Sequence, residues 1–60
     1  MATRLENFYT QAAAEWGSVG RLKLAMLTHI PSEKARVVED TDENIRMFEN
    51  AMKQLRAGAA

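Results

Sequence analysis

The chain has 60 residues, of which 47% are apolar and 27% charged, with one Pro, three Gly and no Cys. That length leaves room for one small domain, the missing Cys rules out disulfides and thiolate metal sites, and a core this small is marginal when it folds alone. Eight basic and eight acidic side chains cancel, so no overall field draws the chain to nucleic acid or to an anionic membrane.

The first predicted helix covers 4–16. Thr3 and Glu6 have capping-box spacing, in which the hydroxyl accepts the Glu6 N–H and the carboxylate returns to Thr3. Leu5, Phe8, Tyr9, Ala12, Ala13 and Trp16 then recur with the period of one helical face. Gly17 stands where a helix terminus favours a residue free to take positive φ. A second helix is expected over 19–28, capped by Ser18. Val19, Leu22, Leu24, Ala25, Met26 and Leu27 surround most of it, so it is read as buried on nearly all sides. It is then either the centre of the fold or half of a dimer interface. Pro31 ends it, because the residue before Pro is pushed out of the α region.

Ser32 is the expected cap of a short third helix over 33–39, with Ala35 and Val38 facing inward. A fourth helix over 42–57 starts at either Asp40, three residues before Glu43, or Thr41. Ile45, Phe48, Met52 and Leu55 follow at the spacing by which helices seat against one another. Segments three and four are either separate or one bent rod through Thr41. Gly58 is expected to close the last helix, leaving 58–60 as a frayed tail. These elements predict an all-α fold in one domain, 1–60: a small bundle of three main helices plus a short connecting one, completed by oligomerisation.

Residues that could carry chemistry are few. His29 is the only histidine and lacks the nucleophile and orienting acid that catalysis requires; it is read as a turn residue bonding the end of helix two. Asp40, Asp42 and Asn44 reproduce the first three ligand positions of an EF-hand loop. Ile45 then stands where Gly must turn, and Ala51 where a bidentate Glu is needed, so the cluster is read as carboxylates meeting a helix dipole. Gly17 and Gly20 do not form a phosphate loop. The methionines Met1, Met26, Met47 and Met52 are read mostly as core. No catalytic residue, metal ligand or cofactor is expected. The amino terminus lacks the roughly 7–15 apolar residues of a secretory signal, and no stretch approaches the ~20 needed to span a bilayer, so a cytoplasmic protein is expected.

From Arg21 to Asp40 the chain resembles a helix-turn-helix motif. Leu24 and Ala25 match packing positions of its first helix, Ile30 the apolar turn residue, and Ala35 and Val38 the inward positions of its second. His29 replaces the usual Gly and Thr28 the usual apolar residue. The resemblance implies a dimeric DNA-binding regulator with Ser32, Glu33, Lys34 and Arg36 facing the groove. Glu33, Glu39, Asp40, Asp42 and Glu43 crowd that segment against only Lys34 and Arg36, which opposes phosphate contact. The favoured expectation is a non-catalytic module binding protein, itself or a larger partner, as adaptor, regulator or accessory subunit of a bacterial or viral assembly. Its expected contact residues are Phe8, Tyr9, Trp16, Leu22, Met26, Phe48, Met52 and Leu55.

Overall fold

Gly17 turns the longest helix back on itself. In the computed structural model, which describes residues 3–59, helix α1 spans Arg4–Thr28, α2 Ser32–Ala35 and α3 Asp42–Ala59. Gly17 inside α1 has φ 68° and ψ −152°, a combination open essentially to glycine alone. Running straight, 25 helical residues would reach about 37 Å. The molecule measures only 31 × 20 × 16 Å. The limb 18–28 therefore returns along the limb 4–16. Three contacts record this path: Gly20 against Ala12 and Trp16, the Tyr9 hydroxyl donating to the Ile30 carbonyl, and the Thr3 hydroxyl donating to the Ala35 carbonyl at 2.8 Å.

The result is a small all-α bundle. Thr3 accepts the Glu6 N–H at 3.1 Å, as the capping spacing predicts, while the Glu6 carboxylate lies 3.8 Å from the Arg36 guanidinium. The two limbs meet the expected helices 4–16 and 19–28 closely. His29 ends the second limb in the left-handed conformation, its N–H bonded to the Ala25 carbonyl at 2.8 Å. The third segment is shorter than its expected 33–39: helix holds only over Ser32–Ala35, and Arg36–Val38 form a turn whose N–H groups at 37 and 38 both point to the Lys34 carbonyl. The adjacent β-branched Val37 and Val38 favour leaving the helix there. Ser32 is not its cap; Pro31 occupies that position and the Ser32 hydroxyl accepts from Arg21 at 3.1 Å.

Segments three and four are separate. Thr41 caps α3 by accepting the Asn44 N–H at 3.1 Å, and Asp40 reaches across to accept the Arg4 N–H, also at 3.1 Å. Two helix starts are thus held by neighbouring residues of one loop. Gly58 does not close α3, which continues through Ala59; Met1 and Ala60, the last of the expected frayed tail, lie outside the described residues.

Phe48 is the centre of the core. Its ring is fully buried, edge-on to Tyr9 at 5.8 Å and tilted against Phe8 at 5.6 Å between centroids. Leu5, Tyr9 and Ala12 from the first limb, Leu24 from the second, Ala35 from α2, and Ile45, Ala51, Met52 and Leu55 from α3 surround it. The 18–28 limb is not the centre that its all-round apolar character suggested. It has neighbours on only one side, so Leu24 and Thr28 are buried while Val19, Leu22, Met26 and Leu27 remain exposed.

The two internal glycines make the fold sensitive to a single methyl group. A Cβ on Gly20 would stand 2.7 Å from both the Ala12 carbonyl oxygen and Trp16 Cβ, whereas one on Gly58 meets nothing within 4 Å. Chemical denaturation followed by circular dichroism should show Gly17→Ala destabilised by about 1–3 kcal/mol through its backbone conformation. Gly20→Ala should lose a similar ~1–3 kcal/mol through overpacking. Gly58→Ala should be unchanged or gain up to about 1 kcal/mol, as expected for an open helical site.

Candidate functional site

The residues expected to contact partners divide sharply. Tyr9, Phe48, Met52 and Leu55 are buried in this chain's own core, and Phe8 and Trp16 are half-buried against it. These six carry the periodic pattern that builds the fold, so in this arrangement they face inward. Leu22 is 66% exposed and Met26 73% exposed, and both project from the 18–28 limb. Val19, at 56%, lies three residues before Leu22 and completes one solvent-facing stripe. Of the other methionines, Met52 is buried and Met47 half-buried, so Met26 departs from the core role expected of it.

A groove runs beside this stripe, between the second limb and α3. Lys23, Met26, Leu27, Gln54, Leu55 and Gly58 line a stretch of about 250 Å³. Leu27 and Gln54 also belong to an adjoining stretch of about 570 Å³ lined by Asp42, Glu43, Arg46, Met47, Asn50 and Ala51. The two helices run in opposite directions here: Val19 and Lys23 share a concavity with Leu55 and Gly58, and Leu27 shares one with Met47 and Ala51. Sequence reasoning identified Leu22 and Met26 but could not distinguish them from core. Val19 and Leu27 belong to the helix whose all-round apolar character fits either the centre of the fold or half of a dimer interface, and the 19, 22, 26 spacing is the signal for the stripe.

The opposite side of the bundle is polar. Glu6, Tyr9, Thr10, Ala13, Arg21, Ser32, Glu33 and Arg36 line a concavity of about 530 Å³. Its cations are engaged within the chain, Arg21 with Ser32 at 3.1 Å and Arg36 with Glu6 at 3.8 Å. At its floor the Tyr9 hydroxyl donates to the Ile30 carbonyl. Thr28, the one buried polar side chain among the described residues, donates to the Leu24 carbonyl at 2.8 Å and accepts the Ile30 N–H at 3.3 Å. Thr28 thereby satisfies a helix end where the helix-turn-helix pattern has an apolar residue, a role the sequence reading did not assign.

Within the segment 21–40, Leu24 and Ala35 are buried, and Ala25, Ile30 and Val38 half-buried, as the helix-turn-helix resemblance implies. Its second helix is a single turn, and Arg36 lies beyond it. His29 is exposed, with its backbone, not its ring, closing the helix. Among the described residues no group of three or more His, Cys, Asp or Glu is arranged to hold a metal ion, and no helix is long and apolar enough to cross a membrane. Compared with protein-family models, curated proteins and solved structures, the chain matches none.

Burial pushes the Tyr9 phenol above its ordinary value of 10.0, outweighing the Thr28 hydroxyl and the positive Arg21 that favour ionisation. The folded chain therefore holds this proton where the unfolded chain releases it, so stability present below pH 10.0 is lost as pH rises through the higher folded value. Denaturation midpoints from about pH 8 to about pH 11 should fall more steeply for the wild type than for Tyr9→Phe. At neutral pH the same variant should be about 1 kcal/mol less stable, having lost its bond to the Ile30 carbonyl. Parallel pH profiles would refute the assignment.

Proposed function

We propose that this chain is a non-catalytic helical interaction module that binds protein through the Val19–Leu22–Met26 stripe and the groove beside it. The carrying observation is the exposure of Leu22 and Met26 on a regular helix whose opposite side is anchored by Leu24 and Thr28. Scattered exposed apolar residues need no explanation. A row of large ones along one helix, bordered by a groove, is the kind of surface that partners cover. An adaptor, a regulator or an accessory subunit would each use such a face.

The charge distribution supports protein over DNA as the partner. Between Glu15 and Glu33 there is no acidic side chain, yet the exposed cations of that stretch number only two, Arg21 and Lys23, and Arg21 is bonded to Ser32. The single-turn α2 offers little length along a major groove, and the acidic residues from Glu39 to Glu43 follow close behind it.

The pair Leu22→Asp and Met26→Asp tests the proposal. Both side chains lie mostly in water, so helicity should persist and stability should change by no more than about 0.5 kcal/mol per site. Photo-crosslinking through a probe at position 26 should give protein adducts that require Leu22 and vanish with Leu22→Asp. An unaltered crosslinking pattern, or no protein adduct from the wild type, would overturn it.

A further inference from the structure

We propose that the occupant of this groove is a second copy of the chain, related by a two-fold axis near Leu27 and Gln54, with Lys23 of each copy set against the partner's Asp42 and Glu43. The inference rests on the surface proposed above and adds the identity and direction of what covers it. Along the groove the charge changes in order: Lys23 at one end, the apolar Met26 and Leu27 in the middle, and at the other Asp42 and Glu43, which outnumber the neighbouring Arg46 and leave that end net negative. A two-fold contact reverses one copy relative to the other, so each basic end meets an acidic end while the apolar middles meet each other. Parallel stacking of two second limbs would instead bring Arg21 and Lys23 against their own kind.

Other occupants fit this order less well. For an anionic bilayer or a nucleic acid the groove offers no net positive charge, because Lys23 and Arg46 are balanced by Asp42 and Glu43 along it. With eight charges of each sign, two copies approach without net repulsion. The broadest side of the molecule measures 31 × 20 Å, so even covering all of it stays below the ~800 Å² per partner of a standard interface and fits a small, reversible contact. A contact of this size fits a monomer–dimer equilibrium better than a permanent dimer.

Sedimentation of the full chain over a concentration series should show that equilibrium. Lys23→Glu alone and Glu43→Lys alone should each weaken it by about tenfold or more, because either change places like charges together at both ends of the dimer. An equimolar mixture of the two variants should recover it, since every end-to-end pair is then opposite in sign. Glu43 lies in the first turn of α3, so circular dichroism must confirm that Glu43→Lys is folded. As an independent measure, Lys23→Cys mixed with Glu43→Cys should oxidise preferentially to the mixed disulfide, in a chain that has no cysteine of its own. A wild type that stays monomeric at about 1 mM, a mixture that fails to recover, or random disulfide pairing would overturn the inference. If a strictly monomeric chain instead crosslinked to another protein from position 26, the docking surface would stand without this occupant. Binding by that monomer to phosphatidylserine vesicles would overturn the inference in favour of lipid, and association with nothing would remove both proposals.

Discussion

The positive φ at Gly17 allows the first two helical limbs to lie side by side, and the rest of the bundle is assembled on that pair. Once the chain has turned, the absence of a side chain at Gly20 lets the returning limb approach the Ala12 carbonyl and Trp16 Cβ closely. That approach brings Leu24 and Thr28 over the first limb and sets the Ile30 carbonyl within reach of the Tyr9 hydroxyl. Helix α3 then lies against both limbs, with Phe48 inserted between Phe8 and Tyr9. Without the turn, α1 would be a rod longer than the molecule itself.

The small size of the bundle explains its exposed surface. Three helical segments packed around one aromatic ring leave each with at least one side in solvent, and a limb apolar on most sides cannot hide all of them. The 18–28 limb uses one narrow face, Leu24 and Thr28, to join the core. Its remaining apolar side chains form the stripe on which the proposed function depends. The same limitation that makes a 60-residue core marginal thus supplies a surface suited to covering by another chain.

Polar contacts of the loops fix the ends of the helices. Asp40 and Thr41 each occupy a helix start, one on α1 and the other on α3, and Thr3 ties the first limb to α2. The acidic run that superficially follows a calcium loop therefore contains residues with structural partners: Asp40 holds the Arg4 N–H, and Asn44 donates to the Glu39 carbonyl at 2.9 Å. Tyr9 joins both halves of the structure, its ring in the core and its hydroxyl at the polar concavity.

The all-α class, the break at Gly17, the cap at Thr3 and the helical spacing of Ile45, Phe48, Met52 and Leu55 were legible in the residues themselves, because periodicity and capping are local properties. The extent of α2 was less so: a one-turn helix beside two valines is decided by neighbours as much as by propensity. Apolar character is common to cores and interfaces, and so the eight expected contact residues include both the buried Phe48 and the exposed Met26. Tertiary packing alone separated them, since whether an apolar side chain is buried depends on which elements lie opposite it. For the same reason the sequence could show charges in order along a chain, but only the antiparallel placement of the second limb and α3 set Lys23 at one end of a groove and Glu43 at the other.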